Sequence, residues 1–388
     1  MKAIRHGSIG ILPAGALGAA FFSRLTAGLT KVDGSVFFIG RSGSASGRAL
    51  AEGGFLRFEV DGSANSIPLE GLLYAGLPVC LELNQLPEVL LVCPNPDQLL
   101  GVLDEYVGLL EVLFATNQLS PQAMPTLVLS SNGIYFSRAR QMFIERLEEA
   151  TLFGRLPDLW PDLMPRIIGR VIRGVTIQTG IRRGSGAHAV YVPGPSGITR
   201  LAGGDDALRR RAHALLAGRG GWFELAGERT PTRLEFDKAQ INLCSNLLGQ
   251  IYSLTAPGGF RALKVCEIYA PEHEDDIREL TRNAFLVGRA VRAYGPDEDR
   301  EKLHLELMQA ATKPSQHVPS SVQLLAMGLR DRTLKPELTP TEAWLLDPLI
   351  RYARTGGLES TARYFEALRE KLLGLLRAEV AAQGWNRP

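Results

Sequence analysis

Ser8-Ile9-Gly10-Ile11-Leu12-Pro13-Ala14-Gly15-Ala16-Leu17-Gly18 is the stretch on which the fold turns. Ser8 to Leu12 is a short apolar run that ends at a proline/glycine turn, the pattern of a buried first strand. Ala16 to Leu29 is rich in Ala, Leu and Phe and reads as a helix. Ser35 to Gly40 is a second buried strand, with β-branched and aromatic residues. Strand, glycine turn, helix and strand at this spacing form the βαβ unit that receives a dinucleotide.

In the usual G-x-G-x-x-G fingerprint the first glycine makes the tight turn. The second lets backbone approach the pyrophosphate, and the third packs helix against strand. Gly15 and Gly18 hold the second and third positions, and Pro13 replaces the first, fixing φ and removing an N–H. The turn Pro13, Ala14, Gly15, Ala16, Leu17 and Gly18 still leads into a helix N-terminus, whose N–H groups and dipole suit phosphate. After the second strand, where NAD binders carry Asp or Glu for the ribose hydroxyls, stands Gly40-Arg41-Ser42-Gly43-Ser44. A guanidinium fork with hydroxyls, Arg41 and Ser42 foremost, suits a 2′-phosphate, so the expected cofactor is NADP(H).

Working outward, Ser44 to Glu52 reads as a helix and Phe55 to Leu69, with alternating polarity, as a hairpin. Glu88 to Cys93 is a continuous apolar strand of the parallel-sheet type. Residues 97 to 115 have helical spacing, Thr126 to Leu129 is another buried strand, and Arg138 to Ala150 is helical. Val171 to Thr179 and Ala187 to Val192 read as strands joined by a turn from Arg182 to Gly186. Near Gly227 the character changes. From Thr230 onward helical spacing dominates, in segments 233–254, 272–294, 298–311, 319–329, 340–354 and 358–382. The expected fold class is α/β: an N-terminal Rossmann-like doubly wound sheet over 1–228, then an all-α C-terminal domain over 229–388. A cleft between two such domains is the expected place for a small-molecule site.

Composition narrows the function classes. With 45% hydrophobic and 22% charged residues the 388-residue chain reads as globular, and its length calls for two domains. Lys and Arg number 43 against 41 Asp and Glu, so no charge excess argues for nucleic acid or an anionic membrane as partner. Lys2, Arg5 and His6 before the apolar run Ile9 to Phe22 have the order of a secretory signal. The glycines inside that run, and a strand at βαβ distance after it, favour the fold instead. Cys80, Cys93, Cys244 and Cys266 show neither C-x-x-C nor zinc spacing, and the cytoplasm is the expected compartment. No metal site is expected. Pro271 followed by Glu272, His273, Glu274, Asp275 and Asp276 reads as a helix start rather than a ligand set.

The most informative stretch of the second domain is Leu234-Glu235-Phe236-Asp237-Lys238-Ala239-Gln240-Ile241-Asn242-Leu243-Cys244-Ser245-Asn246. Lys238, Asn242 and Asn246 stand at i, i+4 and i+8, which an α-helix gathers on a stripe roughly 80° wide. Asparagine is a poor helix former, and a lysine and two amides beside core positions need polar partners. A substrate carbonyl and a nicotinamide ribose would provide them. A plain helix surface with one lysine and two asparagines is the competing reading of the spacing.

Taken together, the Gly15-Ala16-Leu17-Gly18 turn, Arg41, Leu90-Leu91-Val92 leading into Gln98, Asn132-Gly133, Ser196-Gly197-Ile198-Thr199 and the Lys238/Asn242/Asn246 stripe resemble the ketopantoate reductase family. That family lies within the 6-phosphogluconate dehydrogenase-like superfamily. The resemblance runs in order from about residue 8 to 255 and then thins. It implies that Lys238 donates a proton to a ketone oxygen as hydride arrives from the nicotinamide, and that Asn242 and Asn246 hold substrate oxygens. It places Asn132 near the nicotinamide ribose, Asn95 and Gln98 beside the cofactor, Ser321 on the substrate carboxylate and Glu342 at the close of the pocket. Ser321 could equally cap a helix, and Glu342, three residues after Thr339, has capping-box spacing. Asn95 stands where the family commonly has lysine, and extra sequence lies near 136–165 and 255–316. The resemblance further implies a homodimer acting on a small keto acid, 2-dehydropantoate or a relative. The alternative is a non-catalytic or regulatory NADP(H)-binding protein of the same fold.

Overall fold

Strand β1 (Ile4–Leu12) is the axis of the first unit: β2 (Val36–Ile39) and β6 (Leu86–Val92) flank it, both parallel, with Ile9 opposite Val36 and Leu12 opposite Val92. This computed structural model describes residues 4–27, 34–41, 44–60, 62–150, 152–184, 186–194, 197–220, 222–312 and 316–384. They form two compact units, Met1–Asn132 with Phe136–Pro231, and Gly133–Tyr135 with Thr232–Pro388.

From β6 the sheet continues in parallel through β7 (Thr126–Leu129) and β8 (Val171–Thr176). It ends with antiparallel β11 (Thr199–Ala202) and then β12 (Phe223–Leu225); on the far side β5 (Leu73–Tyr74) extends β2. The eight-stranded order is β12-β11-β8-β7-β6-β1-β2-β5. The central strands are apolar on both faces because helices cover both. Ile9, Ile11, Phe38, Leu91 and Val128 share one core with Phe21 and Phe22 of helix α1 (Ala16–Leu25).

A second sheet was only half legible. The hairpin expected over 55–69 forms as β3 (Phe55–Val60) and β4 (Ser63–Pro68), Leu56 opposite Ile67. The strands expected over 171–179 and 187–192 do not pair with each other. β8 stops at Thr176 and stays in the main sheet. The hairpin is β9 (Gly180–Arg183) with β10 (Val190–Pro193), which joins β3 to give the order β4-β3-β10-β9. The apolar run through Ile177 conceals the break, which the main-sheet pairing of Thr176 with Thr199 sets.

Among the described residues the second unit holds helices and connecting turns and no strand. Helix Pro231–Asn242 passes into a π-helical turn over Leu243–Leu248 and then Gly249–Ser253. Glu274–Ala290, Arg300–Thr312, Ser320–Arg330, Pro340–Thr355 and Glu359–Ala382 follow. Glu274, Asp275 and Asp276 occupy the first turn of Glu274–Ala290, where the helix dipole favours them. Phe236, Leu243, Leu247, Ile277, Leu280, Leu349 and Phe365 make the core of this unit. No helix among the described residues is long and apolar enough to cross a membrane.

Candidate active site

In the first unit the glycine turn sits at the carboxyl end of β1. Gly15 caps α1 with no side-chain bond, and the helix carries no acidic residue in its first turn. A side chain at Gly15 would meet no atom within 4 Å, so the approach to this helix end is open. Gly18 is the opposite case: a Cβ there would lie 2.4 Å from the Pro13 carbonyl oxygen and 3.0 Å from Ile11. Helix and turn touch at that residue, the third-glycine role. Proline at position 13 is accommodated, since its carbonyl accepts the Gly15 N–H at 2.9 Å. A Gly18→Ala variant is expected to lose about 1–3 kcal/mol, because backbone rather than a side-chain tip must yield. Thermal melting of the variant checks this, and an unchanged melting temperature would contradict the close packing.

Arg41 follows β2 and is half-buried, with its Nε enclosed and without a partner. A buried guanidinium nitrogen calls for an acceptor. Beside it opens a cavity of about 600 Å³ lined by Gly40, Arg41, Arg48, Glu70 and Tyr74 among others. Ser42, expected next to Arg41, lies outside the described residues, as does Ser196. Asn95 is exposed and its carbonyl accepts the Gln98 N–H, while Gln98 itself is half-buried just ahead of helix Leu99–Ala115. Asn132 is half-buried after β7. The Leu12 carbonyl accepts the Cys93 N–H and the Val92 carbonyl accepts that of Ser130, so the ends of β1, β6 and β7 are knit in sequence. An open helix N-terminus, a contact that excludes any Cβ at Gly18 and an orphaned guanidinium nitrogen together fit a dinucleotide phosphate group.

In the second unit Lys238 and Asn242 are half-buried on α-helical backbone. Among the described residues nothing bonds the Asn242 amide. Asn246 departs from the expected single stripe because it lies in the π-helical turn, whose wider winding changes its angular position. Only 7% exposed, it turns its Oδ1 to the start of helix Ser320–Arg330. There it accepts the Ser321 N–H at 3.2 Å and the Ser320 hydroxyl at 3.5 Å.

Ser321 is not a helix cap. Pro319 holds that position, and the Ser321 hydroxyl instead donates to Glu342 Oε1 at 2.5 Å. Nor does the capping box form: the Thr339 hydroxyl donates to the Glu342 carboxylate, and its side chain accepts nothing from the helix backbone. Glu342 is 1% exposed. Burial pushes its carboxyl up to about 7, against hydrogen bonds from Ser321 and Gln250 that pull it down. Asn246, Ser321 and Glu342, far apart in sequence, therefore share one buried polar network.

The protein-family models and the curated proteins offer no match to this chain. Solved structures do. D-mandelate dehydrogenase in complex with NADH superposes with a TM-score of 0.63 at 14% identity, over 95% of this chain and 99% of that one. A PanE/ApbA family ketopantoate reductase from Ralstonia eutropha JMP134 gives 0.58 at 14%, over 95% and 99%. A dimeric ketopantoate reductase from Staphylococcus aureus gives 0.55 at 16%, over 96% and 99%. This chain has the ketopantoate reductase fold.

Within the ketopantoate reductase fold, two buried polar residues escaped the sequence reading, one in the network and one outside it. Gln250 is 3% exposed, donates to the Asn246 carbonyl at 3.2 Å and reaches Glu342. It stands four residues beyond Asn246, so the spacing of Lys238, Asn242 and Asn246 already pointed at it. Glu235, 3% exposed, accepts the Tyr135 N–H at 3.2 Å. That bond, with Ile134 N–H to the Trp344 carbonyl, ties Gly133–Tyr135 to the helices of the second unit. Gly133 makes this possible with φ of +120° and a Cβ position only 3.1 Å from Trp344.

Proposed function

We propose that this protein is an NADPH-dependent reductase of a 2-keto acid, 2-dehydropantoate or a relative, with Lys238 as general acid. The observation that carries the reading is the buried network of Asn246, Ser321, Glu342 and Gln250, built around the helix that bears Lys238 and Asn242. A capping role explains neither the Ser321 hydroxyl nor the Glu342 carboxyl, and burying a carboxyl without need is costly. Asn246, Ser321 and Glu342, with Lys238 and Asn242, are the residues the family resemblance assigns to the substrate pocket, and Gln250 extends the set.

A bound nicotinamide would supply hydride to the carbonyl carbon. Lys238, protonated, gives its Nζ proton to the carbonyl oxygen, so that no alkoxide is left, and recovers a proton from solvent. The Asn242 amide, with no protein partner among the described residues, is free to donate to that oxygen. Pro13, Ala14, Gly15, Ala16, Leu17 and Gly18 would hold the pyrophosphate, with Asn95, Gln98 and Asn132 on the following strand ends. Arg41, together with Ser42, would take the 2′-phosphate. A homodimer belongs to the same proposal, the Staphylococcus aureus neighbour being dimeric, and mass measurement in solution tests it.

Fluorescence titration tests the cofactor assignment. The expected result is tighter binding of NADPH than of NADH. Arg41→Ala is expected to weaken NADPH about 10–100-fold, the worth of a charge-assisted phosphate contact, and to leave NADH unchanged. Equal affinities in the wild type, or an unaltered NADPH affinity in the variant, would remove Arg41 from the site.

A further inference from the structure

Among the described residues Arg173 is the largest side chain buried below 2%, and it lies in β8 directly beside Leu129, the last residue of β7. We infer that Arg173 is a positioning residue for the nicotinamide half of the cofactor site, acting through the loop that carries Asn132. The inference rests on the dinucleotide reading given above.

Taking a guanidinium out of water costs several kcal/mol, and a methionine of similar length would fill the same space without that penalty. What the fork does in return is specific. Nη1 donates to the carbonyls of Leu129 at 2.6 Å and Gly174 at 3.0 Å, and Nη2 to the carbonyl of Ser131 at 2.9 Å. The β6–β7 ladder ends with the Ser130 N–H on Val92, so the Ser131 carbonyl lies beyond the reach of strand pairing. Arg173 satisfies it. The Ser131 hydroxyl in turn donates to the Pro94 carbonyl at 2.5 Å, immediately before Asn95. One planar group therefore fixes the loop leading to Asn132 and, through Ser131, joins it to the loop bearing Asn95. Gly174, next along β8, packs closely on the same loop, since a Cβ there would stand 2.7 Å from the Ser130 hydroxyl.

A second buried arginine supplies the contrast. Arg170, 5% exposed, donates to the Met124 carbonyl at 2.6 Å and to that of Pro121, on the segment entering β7. The chemistry is the same and Arg170 stands one residue ahead of β8, but its contacts lie at the opposite end of β7. Ligands of open α/β sheets bind at the carboxyl ends of the strands, which is the Arg173 end alone.

The test compares NADPH with 2′-phospho-ADP-ribose, which keeps the adenosine, diphosphate and 2′-phosphate and lacks the nicotinamide. Arg173→Met is expected to raise the Kd of NADPH about tenfold or more, as small misplacements of binding groups do, while that of 2′-phospho-ADP-ribose stays within about twofold. Arg170→Met is expected to lower the melting temperature without separating the two ligands. If Arg173→Met does not fold, Ser131→Ala, which removes only the tie to Pro94, is judged by the same comparison. An equal loss for both ligands, no loss for NADPH, or the same separation in Arg170→Met overturns the inference. Wild-type protein that binds neither compound refutes the dinucleotide reading and this inference with it. Wild-type binding of both, with an unaltered Arg173→Met, refutes the inference alone.

Discussion

Replacing Lys238 by alanine is expected to lower kcat by about 10²–10⁴-fold with the keto acid the wild type reduces best, the usual worth of a positioned general acid. The reason is charge balance at the carbonyl. Hydride addition places a full negative charge on oxygen, and in the proposed site Lys238 is the only group assigned to deliver a proton there. NADPH affinity should stay within about twofold, because the cofactor contacts proposed here lie on the glycine turn and strand ends of the first unit. The fall should show in kcat and kcat/KM together, the signature of an interaction made in the transition state. A variant within about threefold of wild-type turnover would take Lys238 out of the mechanism.

Glu342→Gln is expected to change how stability depends on pH. With its folded pKa raised by burial to about 7 from an ordinary 4.5, the carboxyl binds its proton more tightly folded than unfolded. The stability this gives is fully present below about pH 4.5 and is lost as pH rises through 7; the size is about 3 kcal/mol. Glutamine is neutral throughout. Against the wild type it should therefore gain in relative stability by about that amount between roughly pH 5 and pH 8. Denaturant unfolding at the two pH values measures it. Parallel curves for the two proteins would mean that Glu342 ionises as freely as an exposed carboxyl.

The βαβ unit and the helical character of the second half were legible because each rests on local signals, a glycine turn between apolar runs or a sustained period of 3.6. Of the second sheet only the β3–β4 hairpin was legible. Its strands β9 and β10 are short, and β3, which pairs with β10, lies more than a hundred residues away, a pairing that no window of sequence contains. The π-turn at Leu243–Leu248 was invisible for a different reason, since no residue type demands it. It undid the straight stripe at Asn246, yet it left that residue on the start of helix Ser320–Arg330. Ser321 and Glu342 each carried a capping alternative of equal weight, and only tertiary geometry, the hydroxyl of one on the carboxyl of the other, set that alternative aside. Arg173 gave no signal because a lone arginine in an apolar strand reads as an edge or a surface residue. Two of its carbonyl partners, Leu129 and Ser131, come from the end of β7, which the sheet brings beside it.

Consumption of NADPH by the purified protein, followed by the absorbance of the reduced nicotinamide across a panel of 2-keto acids with 2-dehydropantoate and aryl-substituted members included, tests the central claim most directly. The account predicts turnover of at least one member, abolished to near background in Lys238→Ala. Saturable NADPH binding with no oxidation by any member of the panel would contradict it and leave a nucleotide-binding protein that has kept the fold without the reaction.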